Sequence, residues 1–171
     1  MANSDFTQNQ LKKLLHYDPD TGIFTWRKRH TKASWNGRYA GTQAGTRTRV
    51  KGYVQIKINH RQYSASRLAW LYMTGEWPEV FIDHIDRNPK NNCFSNLRPA
   101  NRAQNMMNSK PRCDSPFPKG VTKDGNGFRA RITVNKVRIY LGYFKTVEEA
   151  TNAYQKSAKY FFGSYAHLSG L

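Results

Sequence analysis

The chain has 171 residues, 38% of them apolar, which is enough for one ordinary domain or two small ones with modest cores. Its 28 Lys and Arg residues outnumber its 11 Asp and Glu residues, and the net charge of +17 favours a polyanionic partner, most simply nucleic acid. No apolar run approaches ~18 residues and no secretion signal opens the chain, so we expect a soluble, intracellular protein. Cys93 and Cys113 lack the spacing of a zinc site and are expected to be reduced thiols.

Two small elements are predicted at the start of the chain. Thr7 and Gln10 match a capping box, and the helix that follows carries Leu11, Leu14 and Leu15 at helical spacing. The turn-forming residues 18–22 end that helix, and residues 23–26 are predicted to form a strand.

A basic, glycine-bearing region follows. Eleven Lys or Arg residues and no acidic residue lie between Thr21 and Gly75. Charge of one sign over such a length repels itself unless an anion neutralises it, so we expect phosphate contacts here rather than a merely solvated loop. The residues expected to make them include Arg47, Arg49 and Lys51.

Alternation then predicts a strand and a hairpin. Val54, Ile56 and Ile58 alternate with polar residues, which is the period of a half-buried strand, and a turn at 59–60 leads to a second strand. Ser66 is expected to cap a helix that ends at Gly75.

The stretch FIDHIDRNPKNNCFSNLRPANRAQNMMN, residues 81–108, is where the chemistry is expected. Asp83 and His84 follow a strand-like run, Asn96 comes thirteen residues after Asp83, and Asn105 lies in a helix-compatible run after Pro99. Carboxylate and carboxamide oxygens suit a hard divalent cation, and the imidazole is left to handle a proton. Asp86, Asn88 and Asn92 could be alternative ligands, although Asx residues more often stabilise turns.

This spacing resembles the HNH endonucleases, specifically the phage- and intron-encoded homing type in which Asn replaces the final His. The resemblance implies a core of two strands and a helix around one Mg²⁺ or Mn²⁺ ion. It implies that Asp83 and Asn105 bind the metal, that His84 is the general base, and that Asn96 holds the loop and orients His84.

A second module is predicted after a proline-rich linker at residues 109–116. Turns at 124–127 and 135–136 separate three predicted strands, of which residues 128–134 alternate apolar and polar side chains. A capping box at Thr146 opens a helix whose apolar stripe is expected to contain Ala150, Ala153, Tyr154, Ala158 and Phe161.

The motifs GVTK, FRARI, YLGYF and TVEEATNAY from about residue 117 onward resemble the DNA-binding domain of Apetala-type transcription factors. The resemblance implies that the exposed face of the sheet lies in the major groove. The plant domains carry tryptophans where this chain has Phe128 and Tyr140, so their target bases do not transfer. The DNA-facing residues are then expected to be Arg129, Arg131 and Arg138, with Lys123 and Tyr140 beside them.

Together these features predict an α+β chain with an HNH nuclease core and a three-stranded antiparallel sheet packed on one helix. The predicted domains are 1–108, which contains the motif, and 117–171, joined by the linker. The expected activity is metal-dependent, site-specific hydrolysis of double-stranded DNA by a monomer that nicks one strand, in the cytoplasm of a bacterial host. A DNA-binding regulator with an inert nuclease fold and an RNA-binding or ribosome-associated protein are the alternatives.

Overall fold

The structure, a computed structural model, describes residues 7–30, 32–48, 52–109 and 115–166. The chain forms two compact units, Met1–Asn101 and Arg102–Leu171. Both combine short helices with small antiparallel sheets, so the chain is α+β. Within the described ranges, no helix is long and apolar enough to cross a membrane.

The elements of the first unit are, in chain order, α1 (Gln8–Leu14), β1 (Leu15–Asp18), β2 (Ile23–Trp26), α2 (Ala33–Tyr39), β3 (Thr46–Arg47), β4 (Val54–Ile58), β5 (Arg61–Ser64), α3 (Ala65–Thr74), β6 (Phe81–His84) and β7 (Leu97–Ala100). The second unit contains α4 (Arg102–Asn108), β8 (Val121–Asp124), β9 (Gly127–Val134), β10 (Val137–Phe144) and α5 (Val147–Phe162). The sheets pair β1 with β2, β3–β4–β5 in that order, β6 with β7, and β8–β9–β10.

The start of the chain departs from its prediction at one residue. The Thr7–Gln10 capping box is present, but the helix ends at Leu14, so the prediction that Leu15 is helical is wrong. Leu15 and Tyr17 are buried in β1, where they pair with Trp26 and Phe24. Because a strand buries alternate residues, Leu15 continues the core from the last turn of the helix into the sheet.

The core of the first unit joins α1, the β1–β2 hairpin, β4 and α3. Its buried residues include Leu11, Phe24, Ile56, Ile58 and Leu68. The turn predicted after β4 is confirmed, since Asn59 and His60 both have positive φ. Gly75 ends α3 in the left-handed conformation as predicted, but the helix begins after Ser64, and Ser66 lies buried inside it.

Helix α2 lies in the basic region, where no element was predicted. None of its residues is buried, so it has no apolar periodicity for a sequence to reveal. The Asn36 side chain holds it by accepting from the N–H of Arg29 and donating to the carbonyl of Arg29, at 2.7 and 2.6 Å. The guanidinium of Arg29 lies 3.9 Å from the ring centre of Trp35. This cation–π contact stabilises a helix that has no buried apolar stripe.

In the second unit, α5 packs on the sheet as predicted. Its Thr146 capping box and its end at Gly163 are confirmed. Tyr154, Ala158 and Phe162 bury one stripe against Ile132 of β9. The last residue of the predicted apolar stripe is wrong. Phe161 is 42% exposed, and the buried aromatic residue is Phe162, four residues after Ala158.

Helix α4 is fastened within the second unit. Met107 packs against the cluster around Ile132 and Tyr154. The ammonium of Lys119 donates to the carbonyls of Met106, Met107 and Ser109 at 2.8–2.9 Å, which satisfies acceptors left open at the end of a helix. The predicted domain limits remain a prediction; by its contacts, α4 groups with the residues that follow it.

Candidate functional site

Asp83 and His84 are the last two residues of β6, and both are buried, at 5% and 6% exposure. Strand β7 pairs with β6 so that Arg98 faces Asp83 and Leu97 faces His84. Carboxylates and imidazoles are seldom buried without a polar partner, because desolvation penalises their charged or hydrogen-bonding groups. Their burial at the end of a two-stranded sheet therefore points to specific interactions at this position.

Arg98 holds the carboxylate of Asp83. Its Nε and Nη2 donate to the same oxygen, Oδ2, at 2.9 and 2.8 Å. Both side chains are largely shielded from water, at 12% exposure for Arg98 and 6% for Asp83. The pair is charge-assisted and directional, so it sets the orientation of the carboxylate.

The imidazole of His84 contacts a carboxamide and an aromatic ring. Its Nε2 lies 3.2 Å from Oδ1 of Asn92, which is itself 3% exposed. The ring of Tyr53 lies with its centre 6.1 Å from the centre of the imidazole. Tyr53 precedes β4, so a residue far from the motif in sequence borders the histidine.

The loop after His84 is built around Asp86. Its Oδ1 accepts from the N–H of Asn88 at 2.8 Å and from the amide of Asn96 at 2.9 Å, and its Oδ2 accepts from the amide of Asn91 at 2.7 Å. Burial acts to raise the pKa of Asp86, but these donors and the nearby His84 outweigh it, so the pKa lies below its ordinary value. Asp86 and Asn88 are thus engaged in the turn, where Asx side chains are common.

Asn96 closes the same loop. Its Oδ1 accepts from the N–H of Asp86 at 3.0 Å, and its amide donates to the carbonyl of Asn91 at 2.8 Å. These bonds join Asn96 to both sides of the loop, and the role assigned to Asn96 in the site stays a prediction. The side chain that the structure places at the imidazole of His84 is instead that of Asn92, which sequence reasoning grouped with the turn formers.

The other predicted site residues are the second metal ligand, Asn105, and the basic residues expected to contact phosphates. Asn105 is exposed on α4 in the second unit. Arg47 is exposed in β3, whereas Arg49 and Lys51 lie outside the described residues. Among the described His, Cys, Asp and Glu residues, no three gather in a way that could hold a metal ion.

Part of the chain is similar to known proteins. Residues 63–107 match the sequence profile of the HNH endonucleases. We call these residues the HNH segment; they are similar to an HNH endonuclease domain. The chain is also 35% identical, over 98 residues, to an uncharacterized HNH endonuclease of Acanthamoeba polyphaga mimivirus. The aligned part covers 56% of this chain and 51% of the relative, so the chain spans about half the length of the curated relative it matches.

The HNH segment contains the whole β6–β7 pair and the loop around Asp86. Asp83, His84, Asn96 and Asn105 all fall within it. The β1–β2 hairpin and Tyr53 precede it, and the sheet of the second unit follows it. Two contacts of the candidate site thus come from residues outside the matched segment: the ring of Tyr53, and the hydroxyl of Tyr17, which donates to the carbonyl of Asn92 at 2.7 Å.

The sheet of the second unit presents a basic face. Strand pairing places Arg138 opposite Thr133 and Tyr140 opposite Arg131, and residues opposite each other in a sheet share a face. Tyr143, which was not predicted, lies on this face opposite Arg129 and is 51% exposed. Arg129 is also ion-paired with Asp124.

Lys123 does not share that face. It pairs with Phe128, whose neighbour two residues on, Ala130, is buried under α5. Side chains alternate along a strand, so Phe128 and Lys123 lie on the side of the sheet that α5 covers, whereas Arg129 lies on the exposed side. The grouping of Lys123 with the arginines of the exposed face is therefore corrected by the strand register.

Proposed function

We propose that this chain is a metal-dependent DNA endonuclease of the HNH type, which hydrolyses a phosphodiester bond. The observation that supports it most is the burial of Asp83 and His84 side by side at the end of β6, inside the segment that matches HNH endonucleases. A histidine kept beside an oriented carboxylate is a suitable base for activating water. The mimivirus relative carries the same family name.

In this proposal His84 takes a proton from the attacking water. A neutral imidazole can accept a proton at one ring nitrogen, and histidine is for this reason the commonest general base near neutral pH. The imidazole of His84 is held by Asn92 and bordered by Tyr53, so few orientations are open to it. A base that is already oriented loses little entropy on reaching the transition state.

Asp83 and Asn105 are proposed to hold one Mg²⁺ or Mn²⁺ ion. Carboxylate and carboxamide oxygens are the donors these ions prefer, and two protein ligands leave positions for water and phosphate oxygens. Arg98 donates twice to Oδ2 of Asp83 and thereby orients the carboxylate that we assign to the metal. When bound, the ion would neutralise charge at the scissile phosphate and assist the leaving 3′ oxygen.

The basic face of the second unit is proposed to bind duplex DNA in the manner of an Apetala-type domain. Arg131, Arg138 and Tyr140 share one side of a sheet whose other side is covered by α5. Arginine side chains on such a face can donate to base edges and phosphates in the major groove. Arg129 belongs to the same set, with Asp124 fixing its guanidinium.

The N-terminal basic region is proposed to contact phosphates beside the cut. Arg47 is exposed in β3, and Arg49 and Lys51 follow it in sequence. The eleven basic residues between Thr21 and Gly75 have no acidic residue among them to neutralise their charge. Phosphate contacts of this kind provide affinity without reading sequence.

We further propose the homing type, a monomer that nicks one strand and leaves 5′-phosphate and 3′-hydroxyl ends. The spacing of Asp83, His84, Asn96 and Asn105 supports this subgroup. A single active site on one chain cuts one strand in each encounter. The proposed setting is the cytoplasm of a bacterial host, for a phage- or intron-encoded protein.

A random-sequence plasmid library tests the proposal. The full chain is incubated with the library in Mg²⁺ or in EDTA, and the new ends are sequenced and their chemistry determined. We expect relaxed circles with 5′-phosphate ends at a recurring sequence, in Mg²⁺ alone. His84→Ala should slow cleavage by about 10²–10⁴-fold and keep DNA binding, whereas His16→Ala, at an exposed histidine of β1, should keep both. Unchanged cleavage by His84→Ala would contradict the assignment of the base.

A further inference from the structure

Asn92 is a buried polar residue that holds the imidazole of His84, and its contacts also bear on which ring nitrogen carries the proton. Its side chain is oriented by two contacts, with Oδ1 3.2 Å from His84 Nε2 and the amide nitrogen donating to the carbonyl of Lys90 at 3.3 Å. The second contact requires the nitrogen on that side, so the oxygen is the atom that faces the ring.

A carboxamide oxygen accepts a hydrogen bond but cannot donate one. The ring atom facing it, Nε2 of His84, must therefore carry the proton. In a neutral imidazole the other nitrogen, Nδ1, then has the lone pair. The position of Asn92 thus selects which nitrogen of the ring carries the lone pair.

The backbone at Asn92 is held by the β1–β2 hairpin. Tyr17, buried in β1, donates its hydroxyl to the carbonyl of Asn92 at 2.7 Å. Two further bonds join the same segments: Phe94 N–H to the carbonyl of Pro19 at 2.8 Å, and the Cys93 thiol to the carbonyl of Asp20 at 2.7 Å. Three successive residues of the loop are therefore bonded to one hairpin.

Gly22 brings the hairpin close to that loop. A Cβ atom built on it would lie 2.3 Å from the carbonyl carbon of Asn92, and its φ of +71° is one that glycine adopts readily. Burial of the Tyr17 hydroxyl raises the pKa of Tyr17 well above its ordinary range, so the hydroxyl stays a donor. The hairpin and the loop form one packed layer.

We propose that Asn92 is a positioning residue for His84 and that Tyr17 holds Asn92 in place. The hairpin, which lies outside the HNH segment, is then part of the apparatus that prepares the base. The catalytic consequence rests on the proposed nuclease function, whereas the assignment of the ring proton does not. We expect the two claims to be separable by experiment.

The ring proton is measured by long-range ¹H–¹⁵N NMR of the histidines in the full chain, with His84→Ala assigning the signal. In alkaline solution, where the imidazole is neutral, we expect the ring of His84 to be protonated on Nε2. A ring protonated on Nδ1 overturns the proposal, whether or not the chain cleaves DNA. A ring protonated on Nε2 in a chain that cleaves nothing supports the positioning and rejects the nuclease function.

The variants test the consequence for cleavage. Asn92→Leu removes the acceptor at similar volume and should lower kcat at least about tenfold, with DNA affinity kept and the Nε2 preference lost. Tyr17→Phe should lower kcat by a smaller factor. Tyr72→Phe is the matched control, because Tyr72 packs on Tyr17 with ring centres 5.5 Å apart and should cleave like wild type.

The outcomes separate positioning from folding. Cleavage by Asn92→Leu at the wild-type rate overturns the proposal. An equal loss of kcat in Tyr17→Phe and Tyr72→Phe overturns it as well. Should Asn92→Leu not fold, Asn92→Ala also removes the acceptor, and its Nε2 preference and kcat are measured instead. An unchanged ring tautomer in Asn92→Ala together with a kcat that falls only with its melting temperature would assign Asn92 a purely structural role and overturn the proposal.

Discussion

At the scale of single residues, Arg98 and Asp83 show why a buried charge needs its partner. Both lie in the β6–β7 pair, and Asp83 accepts two N–H bonds from Arg98 on one oxygen. The same carboxylate is the proposed metal ligand, so the ion pair has two consequences. It holds Oδ2 in place, and it compensates a charge that burial would otherwise penalise.

Arg98→Ala should therefore destabilise the protein strongly. Removing one member of a buried pair costs about 3–5 kcal/mol, because the remaining charge loses its compensation. Urea unfolding of wild type, Arg98→Ala and the double variant with Asp83→Ala measures this free energy. The double variant should be less destabilised than Arg98→Ala, because it no longer buries the carboxylate without Arg98. An equal loss of stability in the two variants would show that the buried carboxylate is not the cause.

Asp86 makes the free energy of unfolding depend on pH in the acid range. Its pKa is lowered in the folded protein, so its contribution to the free energy of unfolding is fully present above its unfolded pKa of about 3.9. That contribution is lost as the pH falls through the lower, folded pKa. Unfolding of Asp86→Asn should thus depend less on pH below about 4 than that of wild type. Asp20→Asn, at an exposed carboxylate of the β1–β2 turn, is the control, and an identical acid dependence of Asp86→Asn and wild type would refute the prediction.

At the scale of elements, α3 is tied to the segment that leads into β6. Arg67 donates from Nη1 to the carbonyl of Val80 at 3.1 Å and from Nη2 to that of Pro78 at 3.0 Å. Its guanidinium also lies 6.0 Å from the ring centre of Trp77. One side chain therefore fixes where β6 begins, and with it the position of Asp83.

Arg67→Lys tests this link between elements. A lysine ammonium is a point charge that cannot reproduce the fork of a guanidinium, so about 1–2 kcal/mol of stability should be lost. The cleavage rate should fall as well, because β6 is less firmly placed. Arg38→Lys, at an exposed arginine of α2, should change neither quantity. Equal stability of Arg67→Lys and Arg38→Lys would show that the two carbonyl contacts do not matter.

Elements with a clear apolar period were predictable, and those held by single contacts were not. Strand β4 and helix α5 were found because Ile56, Ile58, Tyr154 and Ala158 recur at the spacing of their element. Helix α2 was missed, because it buries nothing and depends on Asn36 and Trp35.

The candidate site was also predictable only in part. Asp83 and His84 stand together in the sequence, and both prove to be buried at the end of β6. Asn92 was placed among the turn formers, because an Asn-Asn pair in a polar loop indicates a turn. Its partner Tyr17 lies 75 residues away, and no local pattern reveals a bond of that separation.

At the scale of the whole molecule, the charge of +17 predicts a strong dependence of DNA binding on salt. Each phosphate neutralised contributes a slope of about −0.9 in a plot of log affinity against log salt concentration. Arg138→Ala, on the exposed face of the second unit, should make the slope shallower by about one such contact. Lys159→Ala, at an exposed lysine of α5 on the opposite side of the sheet, should leave it unchanged. Equal slopes for the two variants would reject the proposed DNA face.

The most direct measurement is the single-turnover cleavage rate on a duplex that carries the sequence recovered from the library, with wild type, His84→Ala and His16→Ala compared in Mg²⁺ and in EDTA. We predict cleavage by wild type and His16→Ala in Mg²⁺ only. For His84→Ala we predict a rate lower by about 10²–10⁴-fold at unchanged DNA affinity, since a general base contributes that much. Cleavage by His84→Ala at the wild-type rate, or by wild type at the same rate in EDTA, would contradict the account.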